Sequence, residues 1–158
     1  MEPRTVRAYL EQRVQHQYFD VIPSRWRPLL TRLAKLTQTL QRDGALAVGN
    51  NKAAAIRSDF DLANALLEEE HEIYREGLTY LRGRNNGEEC ANTAALRRFL
   101  HGMLSCIAAK EISITHWKNC LTSVSPDTLR VYCHMCVAHP HVQKDDTARI
   151  CLLYSQPA

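Results

Sequence analysis

The chain has 158 residues, of which 45% are hydrophobic and 23% are charged, with a formal net charge of +3 at pH 7. These values exclude disordered and collagen-like chains, and no apolar run approaches the roughly 20 residues that a membrane-spanning helix needs. The length suits one hydrophobic core, so we expect a single domain over residues 1–158, with one alternative, a subdivision near residues 83–91 into residues 1–82 and 92–158.

Two amphipathic helices are predicted in the N-terminal part. Apolar residues at three- and four-residue spacing indicate a helix over residues 3–19. Pro23 then predicts a turn within residues 20–24, because the residue before a proline disfavours helical geometry. A leucine stripe that starts at Trp26 indicates a second helix, which ends at Gly44.

The third predicted helix is long and acidic. Residues 44–57 are expected to form a loop or a weak Ala-rich turn, and Ser58 with Asp61 three residues later resembles a capping box that starts the helix. Its apolar residues continue to about Arg82. Glycine and asparagine then break the helix within residues 83–87, which form the best linker candidate in the sequence.

A fourth helix has the most regular three- and four-residue spacing of apolar residues in the chain. Asn92 or Thr93 can cap its N-terminus. Beyond its first half two outcomes stay open. The helix continues through Trp117, or a short strand forms around Ile112.

A fifth helix is expected to start where Ser125 precedes Pro126, because this pair is typical of a helix N-terminus, and to reach about Val137. The apolar tail, residues 148–154, is expected to pack back on the body. The sequence therefore predicts an all-α fold, a compact bundle of about five helices. Its predicted core contains Trp26, Leu29, Leu33, Leu66, Leu100, Met103 and Ile107.

Charge is unevenly distributed along the chain. Residues 1–42 carry eight Lys/Arg against three Asp/Glu, residues 43–89 carry five against ten, and residues 90–158 carry seven against four. Such segregation predicts either a basic face for an anionic partner or association of copies of the chain through opposite patches. The alternative is that acidic and basic surfaces neutralise each other within the fold.

The basic N-terminal region is the candidate nucleic-acid interface. Phosphate backbones are bound by several Lys and Arg side chains on one face, and Trp26 or Tyr18 could offer a stacking surface for an unpaired base. The alternative is a solvated helix face opposite the leucine stripe. The residues predicted to bind nucleic acid are Arg4, Arg7, Arg13, Arg25, Trp26, Arg27, Arg32 and Lys35.

Cysteine and histidine are concentrated in the C-terminal third. His116 and Cys120 are followed, after twelve residues, by Cys133 and Cys136. Two closely spaced pairs of soft ligands are what tetrahedral Zn²⁺ requires, so we expect one structural zinc ion that joins two segments with a weak core. Alternative ligands are His139, His141 and Cys151.

A second interpretation of the same cysteines requires no metal. In a helix that starts at Ser125, both Cys133 and Cys136 fall on the apolar face, where buried cysteine is common as a small hydrophobe. No secretory signal is visible, so the protein is expected in the cytoplasm or nucleus. The six cysteines are then free thiols or metal ligands rather than disulfides.

Sequence motifs of enzymes are missing: we find no phosphate-binding loop, no nucleophile elbow and no dinucleotide-binding glycines. We therefore predict no catalytic residues. Glu68 and His71 form one half of a carboxylate di-metal motif, but the sequence has no second copy. A solvated acidic face explains residues 68–72 better.

The leading interpretation is a non-enzymatic regulatory protein, with structural zinc, that binds nucleic acid, RNA in particular, through its basic N-terminal helices. The alternative is a protein-binding adaptor or host-factor antagonist whose charged faces contact a protein or, in a homo-oligomer, another copy of the chain. In general character, a helical chain with a basic N-terminal region and a Cys/His-rich end resembles small accessory proteins of viruses. No residue is assigned from that resemblance, and no membrane contact is expected.

Overall fold

Helices account for most of the residues that the computed structural model describes, which are residues 3–81 and 91–155, and no strand occurs in these two ranges. This confirms the predicted all-α bundle, and all five predicted helices are present. The elements are α1 (Pro3–Ala8), a π-helical segment (Tyr9–Val21), α2 (Ile22–Asp43), α3 (Ala45–Thr79), α4 (Ala91–Asn119), α5 (Pro126–Val137) and α6 (Lys144–Ser155).

The first predicted helix is wider and longer than expected. In an α-helix, residues four apart are rotated by about 40° relative to each other. The turns of a π-helix are wider, because its hydrogen bonds span five residues, so this rotation is smaller in the π-helical segment. The four-residue apolar repeat therefore stays on one buried side. It consists of Val6, Leu10, Val14, Tyr18, Ile22 and Trp26, each at most 2% exposed.

The turn predicted within residues 20–24 is wrong, because the chain remains helical from the π-helical segment into α2. Val21 and Ile22 both have right-handed helical backbone angles. Pro23 therefore lies inside a continuous helical path and does not end it.

Helix α3 begins earlier than predicted. Residues 45–57 are helical rather than a loop, apart from a break at Gly49, because this Ala-rich stretch has high helix propensity. Ser58 lies inside the helix, so the predicted capping box is wrong. Gly44 and Gly49 have φ of 81° and 77° with ψ of 161° and 166°, a backbone region that essentially only glycine adopts. The predicted linker within residues 83–87 lies outside the described residues.

The C-terminal helices follow the sequence signals closely. Helix α4 continues through Trp117, so the alternative of a strand near Ile112 is wrong. The predicted start of α5 is confirmed, because the Ser125 hydroxyl accepts a hydrogen bond from the Thr128 backbone N–H at 3.1 Å and Pro126 follows it. The apolar tail forms α6, which packs against α1, the π-helical segment and α4.

One hydrophobic core connects these helices. Helix α2 packs against α3 and α5, and α4 packs against α3, α5 and α6. All seven residues predicted for the core are at most 3% exposed. Within the described ranges, no helix is long and apolar enough to cross a lipid bilayer.

Two isoleucines of α4 offer a matched test of this core. Ile107 is 0% exposed and Ile112 is 70% exposed. We expect Ile107→Ala to lower the free energy of unfolding by about 2–5 kcal/mol, because it leaves a cavity. Ile112→Ala should change it by less than about 0.5 kcal/mol. Denaturant titration measures both values, and equal losses would contradict the packing of α4.

Candidate functional site

The outward side of α2 carries five basic side chains, and the helix has no carboxylate before Asp43. The inward side of the same helix is the leucine stripe, which is buried from Leu29 to Leu33, so the amphipathic pattern itself directs the cations to solvent. All five cations are exposed. We call this surface the basic face; it consists of Arg25, Arg27, Arg32, Lys35 and Arg42.

Part of the basic charge is paired with the acidic helix α3. Arg25 contacts Glu69 at 2.6 Å, and Arg32 contacts Asp59 at 3.1 Å. The expected neutralisation between acidic and basic segments therefore takes place within the fold. Both arginines nevertheless remain about half exposed, and a guanidinium has five N–H donors. Each can therefore bind a carboxylate and still donate to a phosphate.

Two cations of the basic face, Arg27 and Lys35, form no ion pair with any other described residue. The other predicted arginines lie on the N-terminal elements. Arg13 contacts Glu76 of α3 at 2.7 Å, and Arg7 contacts Glu11 at 3.4 Å. The side chain of Arg4 lies outside the described part of the chain. The structure therefore leaves α2 as the main basic surface of the N-terminal region.

The predicted stacking surface is absent. Trp26 is 0% exposed, and its indole N–H donates to a buried carboxylate oxygen of Glu70 at 3.0 Å. Tyr18 is also 0% exposed. Neither ring can stack on a base while it remains in the core. The expectation that Trp26 or Tyr18 contacts an unpaired base is therefore wrong for the folded chain.

A charged pair that sequence reasoning missed lies at the centre of the bundle. Lys110 of α4 donates a hydrogen bond to Glu70 of α3, and both side chains are 0% exposed. The Lys110 ammonium also lies 5.3 Å from the centroid of the Tyr18 ring, a distance suited to a cation–π interaction. Burial raises the pKa of Glu70, while Lys110 and the Trp26 indole oppose that shift.

The sequence did contain a signal for this pair. Lys110 continues the three- and four-residue spacing of the α4 stripe between Ile107 and Ile114, and Glu70 does the same on α3 between Leu66 and Ile73. A charge on an apolar face is rarely buried without a partner. Two such charges of opposite sign, on different helices, could therefore have been paired.

The expected solvated acidic face on residues 68–72 is consequently wrong at one position, because Glu70 points into the core. Its neighbour His71 is half-buried and contacts the Glu111 carboxylate of α4 through Nε2. These two residues and Glu68 line a cleft of about 240 Å³ between α3 and α4. Glu68 itself is paired with Arg75.

Next to the central pair, neither ring nitrogen of His139 has a hydrogen-bond partner among the described residues. The His139 ring lies 4.5 Å from that of Tyr18 and 5.0 Å from that of Phe19, measured between centroids. Burial and the nearby Lys110 charge lower the pKa of His139 to about 3. The imidazole is therefore neutral at neutral pH.

The predicted zinc ligands lie on α5 and around the C-terminal end of α4. His116 Nε2 is 3.5 Å from the Cys120 sulfur, at the end of α4, and the Tyr132 hydroxyl of α5 contacts His116 Nδ1. Over residues 5–44, 49–81 and 91–154, no three Cys, His, Asp or Glu side chains are arranged to hold a metal ion. The four residues are therefore not brought together as one tetrahedral set.

The thiols of α5 lie towards the core. Cys136 is 0% exposed, and burial raises its pKa to about 12. Burial raises the pKa of Cys133 as well. The complete burial of Cys136 is what the buried-cysteine interpretation expects. Among the alternative ligands, His141 is exposed and Cys151 is half-buried on α6.

No family model matches this chain, and no curated protein and no solved structure matches it. Function is therefore inferred from its own residues, contacts and charges.

The neutral His139 ring predicts a loss of stability in acid. Its folded pKa of about 3 lies below the ordinary value of 6.5, so between these values the unfolded chain binds a proton that the folded chain does not. The free energy of unfolding is therefore highest with respect to this group above pH 6.5. As pH falls below that value, the free energy of unfolding decreases by up to about 1.4 kcal/mol per pH unit. His139→Phe removes this group, so the slope of unfolding free energy against pH should fall by up to the amount that one proton contributes.

Denaturant titrations across that pH window measure the slope, and subtraction of the two curves removes the titration of the carboxylates. His101→Phe is the matched control and should change the slope less than His139→Phe does, because the His101 ring is exposed. An identical slope in the original chain and in His139→Phe would show that His139 titrates alike in both states.

Structural zinc stays a prediction, and a variant of Cys136 separates it from a buried thiol. Cys136→Ser places a hydroxyl in an apolar environment, so the free energy of unfolding should fall by about 1–3 kcal/mol. A buried thiol predicts the same loss with and without a chelator. Bound zinc predicts instead that the chelator destabilises the original chain, and metal analysis should then find about one equivalent.

Proposed function

We propose that this protein is a non-enzymatic interaction protein that binds nucleic acid, RNA in particular, through the basic face of α2. The observation that carries the proposal is the composition of that face. Five exposed cations lie along one helix, and no carboxylate of the same helix separates them. Such a surface matches a polyanion, because each cation that neutralises a phosphate releases a condensed counterion.

The pairing with α3 supports this role. Arg27 and Lys35 form no ion pair with another described residue, while Arg25 and Arg32 are each held by one carboxylate. A side chain that is already oriented loses less entropy when it binds a phosphate. The basic face therefore combines free cations with oriented ones on a single rigid element.

The complete burial of Glu70, whose pKa burial raises, supports a role in binding rather than catalysis. Active sites collect groups with shifted pKa values in a cleft, where substrate can reach them. Here Glu70 and Lys110 are 0% exposed. They bind each other and neighbouring rings, so their charges are used inside the core.

The alternative function is that of a protein-binding adaptor. Among the residues whose burial is described, four large apolar side chains are exposed; Ile112 of α4 is 70% exposed and Leu152 of α6 is 65% exposed. The other two, Leu62 and Val131, lie on α3 and α5. An adaptor that used these side chains would keep its partner after the charge of α2 is reversed.

Reversal of the two unpaired cations tests the proposed function. Arg27→Glu combined with Lys35→Glu should weaken binding to unrelated RNA sequences alike, because phosphate contacts carry no sequence information. It should also flatten the dependence of log affinity on log salt by about two units, one for each lost contact. Fluorescence anisotropy at several salt concentrations measures both effects.

A control with the same change in charge is available on α4 and α6, outside the basic face. Lys118 of α4 and Arg149 of α6 are both exposed. The double variant Lys118→Glu, Arg149→Glu should bind RNA nearly as well as the original chain. Unchanged RNA affinity in a folded Arg27→Glu, Lys35→Glu variant would contradict the proposal and favour the adaptor.

A further inference from the structure

A row of neutral polar side chains runs between the cations of the basic face. Ser24, Thr31 and Gln38 follow one another at intervals of seven residues, which is close to two helical turns, so they share one line along α2. All three are exposed. The surface therefore offers hydrogen-bonding groups as well as positive charge.

The two hydroxyls in this row are oriented as acceptors. Ser24 Oγ donates to the Val21 carbonyl at 2.6 Å, and Thr31 Oγ1 donates to the Arg27 carbonyl at 2.9 Å. Because each hydroxyl has one hydrogen and two lone pairs, the hydrogen is used by the backbone. What each oxygen offers to a ligand is a lone pair, which suits a ligand that itself carries hydroxyl donors.

Aromatic surface for single-stranded nucleic acid is lacking. All eleven Phe, Trp and Tyr residues of the chain lie in the described ranges, and each is buried or half-buried. Single strands are typically held in a charged groove by bases that stack on aromatic rings. The basic face therefore has no exposed aromatic ring among the described residues.

The shape of the surface also restricts the ligand. Helices α3 and α5 both pack against α2, so α2 is flanked by other helices and does not stand apart from the bundle. A helix must project to enter the major groove of B-form DNA, which is about 8.5 Å deep. The minor groove of A-form RNA is wide and shallow, and it displays 2′-hydroxyls between the phosphates.

We infer that the basic face binds the minor groove of double-stranded RNA. The cations contact phosphates on both sides of the groove, while the oxygens of Ser24 and Thr31 accept hydrogen bonds from 2′-hydroxyls. This inference rests on the proposed function and names its ligand. It predicts recognition by shape and sugar rather than by base sequence.

Three probes of one mixed sequence test the inference: a blunt RNA duplex, the corresponding DNA duplex and one RNA strand alone. We expect the original chain to bind the RNA duplex about tenfold more tightly than either other probe, a factor of the size that one or two hydrogen bonds contribute. Binding is measured by anisotropy at a single salt concentration, because affinities at different salt cannot be compared.

The double variant Ser24→Ala, Thr31→Val removes both acceptor oxygens and keeps the charge of α2. Its affinity for the RNA duplex should fall about tenfold, while its affinity for the DNA duplex should stay the same, because DNA has no 2′-hydroxyl. Thr115→Val is the matched control, since Thr115 is an exposed threonine of α4. It should leave all three affinities unchanged, and circular dichroism verifies that both variants fold.

The outcomes separate the inference from the proposed function. Tightest binding to the single strand, lost in Arg27→Glu, Lys35→Glu, overturns the duplex assignment and leaves the basic face as an RNA site. Equal affinity for the two duplexes, unaffected by Ser24→Ala, Thr31→Val, overturns the role of the 2′-hydroxyls. Binding to none of the three probes overturns the proposed function and the inference together.

Discussion

The ion pair between Lys110 and Glu70 is the constraint on which the packing of this bundle depends. Both charges are completely buried, and an ion transferred from water to protein loses several kcal/mol of hydration. The loss is offset only if each charge is fully surrounded by partners. Those partners come from separate elements, because Trp26 of α2 donates to Glu70 and the Tyr18 ring of the π-helical segment faces Lys110. Four helical elements therefore meet at one point.

This central pair also determines which side of α2 faces solvent. The Trp26 indole must point inward to reach Glu70, and on the same side of the helix Thr37 accepts a hydrogen bond from the Trp117 indole at 3.0 Å. Two polar contacts, about three turns apart along α2, thus fix its rotation. The basic face lies on the opposite side as a direct result. A surface proposed to bind RNA is in this way oriented by hydrogen bonds inside the core.

Sequence signals predicted structure well where it depends on neighbouring residues. Predictions were wrong or missing where the structure depends on contacts between residues far apart in the chain. The cap at Ser125 and the apolar stripe of α4 were predicted because each depends on neighbours within two turns. The helical path through Pro23 could not be predicted, because π-helical turns depend on how Tyr18 and its neighbours pack. The cations of the basic face could be named from the sequence. Their pairing with α3 could not, since it depends on how the two helices are placed side by side.

Burial of Lys110 makes its amine a built-in reporter of folding. The other four lysines of the chain are exposed and should react with an acetylating reagent far faster than Lys110; they are Lys35, Lys52, Lys118 and Lys144. The Lys110 amine is 0% exposed, so it can react only when the core opens. Its acetylation rate relative to that of its neighbours therefore measures the population of opened molecules directly. A single modified peptide would report the opening free energy of the bundle centre under native conditions.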